Sequence, residues 1–359
     1  MIVRHRRPGF HSVERVFSNV IDHLPPDIRV QIVELPRPSS GFLNIVRNLL
    51  FVSRIRAEVV HIAGDVTYCA IAVFRSKCLV TILDLVSVHR LRGLRRTILR
   101  LVWYRIPMQR ANTVTAISRF VADELEAEFN LDPRVVRVIH CPVDELMRPS
   151  QEVDFPKNDR VRVLQIGSTE TKNFEVVVHA LAGTGFELRR IGALTEDQRD
   201  LLNRCNVPYG VVSNLSEDEL IHEFHQADIL AFVSRYEGFG LPVIEGQACG
   251  IPVLTSFEGS LPEVAGSGAY FVDADDVVGI RQALVELAGD ERLRRRLKRK
   301  GFANVVRFEP VAIAEQYANE YRQLRFGRGA SRSIRWQNRA TLARSDSGLD
   351  RPSGDLTCD

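Results

Sequence analysis

The sequence is poor in the patterns that bind metal or build disulfide frameworks. Its six cysteines, Cys69, Cys78, Cys141, Cys205, Cys249 and Cys358, form no C-x-x-C pair, and no histidine cluster accompanies them. Neither a zinc site nor a disulfide framework is implied, and the compartment reads as reducing. No apolar run reaches the roughly 18 residues of a membrane span. Met1 leads straight into a strand-like Ile2-Val3 without a signal-peptide core, so a cytoplasmic protein is expected. Neither G-x-G-x-x-G nor G-x-x-x-x-G-K-S/T is complete anywhere, which weighs against a dinucleotide dehydrogenase and a P-loop enzyme. No groove-reading motif accompanies the basic stretches, so nucleic acid is not an expected partner.

What is present is enough for two domains. The chain has 359 residues, of which 45% are apolar, so two cores can be buried. The net charge of +3 is unevenly spread: residues 1–150 hold 22 Lys and Arg against 14 Asp and Glu. That half is expected to meet something anionic.

Along the chain, short aliphatic runs alternate with amphipathic stretches. Ile2-Val3, Val30–Leu35, Glu58–Ile62, Cys78–Leu83, Asn112–Ile117 and Val135–Ile139 read as strands, with helices between them. Ser12 and Ser118 stand where helix N-caps are needed. A proline-containing polar stretch, Pro149 to Asp159, then interrupts the pattern, which restarts with Val161–Ile166. Thr195 to Gln198 and Ser216 to Glu219 match the capping box, so a helix starts at each. The fold class is α/β: two Rossmann-like, doubly wound domains, residues 1–150 and 151–326, facing each other across a cleft. The residues from 327 to 359 are polar, rich in Ser, Arg, Gly and Asp, and read as a disordered tail.

Two strand exits carry chemistry. After the apolar run Ile229 to Val233 comes Ser234-Arg-Tyr-Glu237-Gly-Phe-Gly-Leu-Pro-Val-Ile-Glu245. Gly238 and Gly240 allow a tight backbone, and Pro242 suits a helix start whose free N–H groups attract a diphosphate. Glu237 lies in the loop and Glu245 one turn inside the helix, where carboxylates can grip sugar hydroxyls. The other exit is Gly167-Ser-Thr-Glu-Thr-Lys172-Asn173, a glycine turn with a lysine before a helix, an arrangement suited to phosphate.

At these residues the chain resembles the retaining nucleotide-sugar glycosyltransferases of glycosyltransferase family four. Their signature of two glutamates with seven residues between reads here Glu237 to Glu245, and Gln247-Ala-Cys-Gly-Ile-Pro-Val253 and Leu261-Pro-Glu-Val264 continue it. The resemblance implies the GT-B arrangement and transfer of a sugar, UDP-linked by expectation, from a nucleotide diphosphate to a hydroxyl of a glycan or lipid-linked acceptor. It implies Glu237 and Lys172 as the catalytic pair, with Gly167, Ser168, Lys172, Gly238, Phe239, Gly240, Leu241 and Glu245 around the donor. Asn214 and Leu215 would lie beside the base. Ser168 stands where many members carry an arginine, which leaves the positive charge to Lys172. On the acceptor side the resemblance implies Gly9, His11 and Asp84; the histidine that commonly precedes this aspartate is Leu83 here. In a retaining mechanism the leaving phosphate itself can take the acceptor proton. Asp273-Ala-Asp275 looks like the metal-holding Asp-x-Asp of another glycosyltransferase class, but its position before a helical run marks a capping turn, and no metal or other cofactor is expected.

Two readings stay open for His89 to Arg110, where Leu91, Leu94, Ile98 and Leu101 fall at helical spacing among arginines. The leucines either pack on the protein's own sheet or lie on an anionic membrane surface beside a lipid-linked acceptor. Two rival functions also stand: an epimerase or phosphorylase on the same scaffold, or a nucleotide-sugar-binding subunit in which Leu83 marks lost catalysis.

Overall fold

The computed structural model describes residues 1–5, 12–149, 155–156 and 159–327. Gly9, His11 and the segment after Gly327 lie outside the described residues. Among the described residues twelve strands, all paired in parallel, form two six-stranded sheets. The first holds β1 (Ile2–Val3), β2 (Val33–Glu34), β3 (Val59–Ala63), β4 (Lys77–Ile82), β5 (Thr113–Ala116) and β6 (Val136–Val138) in the order β2-β1-β3-β4-β5-β6. The second holds β7 (Arg162–Ile166), β8 (Glu187–Ile191), β9 (Tyr209–Val212), β10 (Ile229–Phe232), β11 (Val253–Ser256) and β12 (Tyr270–Val272) in the order β12-β11-β10-β7-β8-β9.

Helices cover the sheets, so the central strands are buried and aliphatic; all four residues of β10 are buried. In each domain the strand order reverses beside the first strand, between β1 and β3 and between β7 and β10. Ligands of doubly wound sheets collect outside the carboxyl ends of strands at such a reversal. Both capping boxes form, at Thr195 with Gln198 and at Ser216 with Glu219.

The last helix, Pro310–Phe326, returns to the first domain and packs on the helix Ser12–Asp22 and on β3. There the Tyr321 hydroxyl lies 2.8 Å from Nδ1 of buried His61, whose Nε2 lies 2.7 Å from the Thr81 hydroxyl. Burial pushes the His61 imidazole well down, and it serves the core.

Two local expectations are corrected. Residues 89–110 are not one helix: Val86–Arg90 and Gly93–Leu99 are followed by a π-helical turn, Arg100–Arg105, and a short helix, Ile106–Arg110. Nor do the leucines pack on the sheet, because Leu94 (74%), Ile98 (49%) and Leu101 (45%) are exposed. Arg96 and Arg100 share Glu128. At the other site Asp273 accepts from the Asp275 N–H, but the side chain that caps the helix Val277–Gly289 is Asp276, bonded to the Gly279 N–H at 2.9 Å.

Candidate active site

The second sheet's reversal point brings two loops together. From β7 the chain turns at Gly167 (φ 105°), makes one 3-10 turn, Glu170–Lys172, and enters the helix Phe174–Leu181 through Asn173 in the left-handed region. From β10 it runs through Glu237 to Gly240 (φ 97°), which opens the helix Leu241–Ala248 with Pro242 in its first turn and no side chain capping it. Pro242 has no N–H, and the Val243 N–H donates to the Gly240 carbonyl at 3.0 Å.

Lys172 joins the two loops. Its Nζ stands 2.5 Å from Glu237 Oε1 and 4.6 Å from the centre of the Phe232 ring at the end of β10. The lysine stem lies along Gly167, where a Cβ would come within 2.8 Å of it. Glycine is thus required there twice, by the positive φ and by the space. Gln165 Nε2 donates to the Lys172 carbonyl at 3.0 Å, and Ser260 donates from both N–H and Oγ to the Glu237 carbonyl. Cation and carboxylate are both held from behind.

Glu245 is 3% exposed, and one of its oxygens accepts a hydrogen bond from Arg15 on the first domain's opening helix. Burial pushes its carboxyl up, Arg15 pulls it back, and Asp144 adds to the rise. A carboxylate so buried needs its cation.

The same segment closes on the first domain. A Cβ on residue 238 would stand 2.3 Å from the Leu83 carbonyl oxygen and 3.1 Å from the Asp84 Cβ. Ser118 caps its helix as expected, accepting from the Val121 N–H, and also donates to the Gly238 carbonyl at 2.7 Å. Tyr236 accepts from the Leu85 N–H and donates to Glu124 at 2.6 Å. Glu263 completes the latch: its carboxylate accepts from the Arg119 and Phe120 N–H groups at the helix start Arg119–Phe129 and meets His140 at 2.7 Å. An anion at a helix N-terminus is favourable.

Of the residues singled out from sequence, Gly167, Lys172, Glu237, Gly238 and Asp84 come together at this junction. Phe239 is buried between His140 and Phe308 and packs the loop, while Leu241 begins the helix. Ser168 is exposed beside Gly192. Asn214 (φ 56°) and Leu215 follow the edge strand β9, with β8 between them and β7. Arg15 and Glu124 escaped the sequence reading; each acts through a partner distant in the chain, and no local pattern marks it.

Known proteins bear on this architecture. Residues 2–145 match the family model described as Glycosyltransferase Family 4, and residues 151–303 the one described as Glycosyl transferases group 1. Two doubly wound domains meeting at this junction give the chain the GT-B fold. Among its relatives, O-antigen chain mannosyltransferase B of Escherichia coli is 32% identical over 108 residues, 30% of this chain and 28% of that protein. The N-acetyl-alpha-D-glucosaminyl L-malate synthase of Bacillus anthracis is 22% identical over 60% of this chain and 61% of its own. The chain thus spans less than two thirds of either relative. Among solved structures, a glycosyltransferase from Rickettsia africae superposes with a TM-score of 0.69 at 17% identity, over 91% of this chain and 99% of the other. Anabaena HepE in complex with UDP-glucose gives 0.70 at 15%, over 89% and 97%. At such identities the likeness shows the fold alone.

Proposed function

We propose that the protein transfers a sugar from a nucleotide diphosphate, UDP-linked, to a hydroxyl of a glycan or lipid-linked acceptor, with retention of anomeric configuration. Residues 151–326 form the donor side and residues 1–150 the acceptor side. The observation that carries this reading is the Lys172–Glu237 pair at the reversal point of the second sheet, beside a helix start whose N–H groups no side chain caps. When donor enters, Lys172 turns its charge to the diphosphate together with the backbone amides of Gly238 to Leu241. Glu237 is then released to bind sugar hydroxyls and to stabilise positive charge at the anomeric carbon. Arg15 holds one oxygen of Glu245, and the other meets the ribose. As the carbon–phosphate oxygen bond breaks and the acceptor oxygen bonds to the same carbon, the acceptor proton passes to the departing diphosphate. That route asks nothing of Leu83, and it is written without a metal.

The HepE complexes with UDP and UDP-glucose support a uridine donor, and the mannosyltransferase relatives support a hexose. A cytoplasmic protein lying against the inner membrane face fits the exposed Leu94, Ile98 and Leu101 with Arg92 and Arg95 beside them. No helix among the described residues is long and apolar enough to cross a membrane.

Slow release of free UDP from UDP-sugars, screened beside GDP- and ADP-sugars and in the presence of EDTA, tests the reaction. Lys172→Ala and Glu237→Ala are expected to lower it by about 100-fold or more. Tight donor binding without turnover under any acceptor would instead leave a nucleotide-sugar-binding subunit.

A further inference from the structure

A cavity opens on the first-domain side of the junction, at the carboxyl ends of β3 and β4. Its volume is about 250 Å³, and Ser39, Asp65, Thr67, Asp84, Ser87 and Trp103 line it. It adjoins the proposed transfer point, because Gly238 closes against Leu83 and Asp84, both of which line it. At about 30 Å³ for each water it displaces, the space suits a single sugar residue.

Trp103 sits in the π-helical turn Arg100–Arg105, an irregularity common at functional sites. Every polar handle of the residue is already engaged: its indole N–H donates to the Asp65 carbonyl at 3.2 Å, and its own carbonyl accepts from the Thr67 hydroxyl. Its ring is braced by Tyr68 at 5.0 Å. What remains for the cavity is apolar ring face, held rigidly. Next to it in the turn, Tyr104 is buried and donates to the Asp84 carbonyl at 3.1 Å, so turn and cavity wall are tied together.

Charge points the same way. Among the described residues no Lys, Arg or His lines the cavity, while Asp65 and Asp84 do. Burial pushes the Asp84 carboxyl up against the Val86 N–H that bonds it, and Glu124, Glu237 and Asp65 push it further. A phosphate or carboxylate placed here would meet the like charge of Asp65 and Asp84. Hydroxyl groups would meet acceptors.

From these observations we infer that the cavity seats a neutral sugar ring of the acceptor, its C–H face on Trp103 and its hydroxyls on Asp65 and Asp84, and that it turns away acceptors bearing phosphate on that ring. The inference rests on the transfer reading and names its acceptor class.

The chain has two tryptophans, Trp103 and Trp336, so a Trp336→Phe chain reports on Trp103 alone by its emission. The probes are the methyl α- and β-glycosides of glucose, galactose and mannose, glucose 6-phosphate and glycerol 3-phosphate, each titrated with UDP present. At least one methyl glycoside is expected to shift the emission saturably, with affinity about ten-fold above that of either phosphate. Asp65→Asn should weaken the glycoside several-fold. In transfer assays Trp103→Ala should raise KM for the glycoside far more than it lowers kcat, and Trp103→Phe, which keeps an aromatic face, should recover most of it; equal damage from both would mean a packing role and sink the idea. No emission change with any glycoside, or phosphates binding as well, would also overturn it. Calorimetry with UDP-, GDP- and ADP-sugars on the same chain separates the two claims: donor binding beside a silent Trp103 removes the acceptor assignment alone, whereas no donor binding removes the transfer reading.

Discussion

The carbonyl oxygen of Leu83 occupies the space that a side chain on Gly238 would need, 2.3 Å from where its Cβ would stand. One residue ends a first-domain strand and the other belongs to the second-domain loop, so the missing side chain is what lets the domains close. Because the blocking atom is backbone, it cannot swing aside. Gly238→Ala is therefore expected to hold the domains apart and to lower transfer on the order of 100-fold, while UDP affinity changes little. Parallel kinetics and calorimetry check this, and an unchanged kcat would show that closure is not needed.

Arg15 and Glu245 make a second bridge between the domains. Arg15→Ala leaves a buried carboxylate without its cation, at a cost of about 3–5 kcal/mol read by urea unfolding. Arg15→Ala with Glu245→Gln should restore much of that, since no charge is then buried. The pH dependence has a definite sign. The Glu245 carboxyl is raised by burial, so the stability linked to its proton is full below the unfolded value of about 4.3 and is lost as pH rises through the folded one. The deficit of Arg15→Ala should grow from acid towards neutral pH.

Glu263 behaves in the opposite sense. Burial alone would raise its carboxyl, but the bonds from His140, Arg119 and Phe120 outweigh that and hold it below the usual range. Its stabilising effect is present above the unfolded value and lost as pH falls through the folded one. Glu263→Gln should lower Tm at pH 7, by about 1–2 kcal/mol in stability, with the gap narrowing below about pH 4. A gap that is flat with pH would refute the latch.

The exposed stripe Leu94, Ile98 and Leu101, with Arg92 and Arg95 alongside, makes membrane contact measurable by sedimentation. Vesicles containing anionic lipid should pull down the protein, and Arg92→Ala with Arg95→Ala should weaken this about thirty-fold, near 1 kcal/mol per charge. Binding that survives both those changes and high salt would remove the electrostatic basis.

Much of this protein was legible in its residues because the relevant physics is local. Buried parallel strands must be aliphatic, turns with positive φ favour glycine, and capping boxes close within four residues, so strand order in the chain, Gly167, Gly240 and both capped helices could be read directly. Glu237 and Lys172 could be singled out as candidates because each follows a strand at an exit that a doubly wound sheet uses for ligands. The break in residues 89–110 was not legible, because a stripe of leucines among arginines has the same periodicity whether a helix is straight or takes a π turn.

What the order of residues determined alone was which loops could cradle an anion. Which cations and carboxylates answer each other was decided by the folded chain: Lys172 with Glu237 across 65 positions, Arg15 with Glu245 across 230, Glu263 with a helix start in the other domain. The reason is electrostatic reach. A charge acts on what lies within a few ångströms once water is excluded, and only packing two sheets against one another brings such distant residues that close.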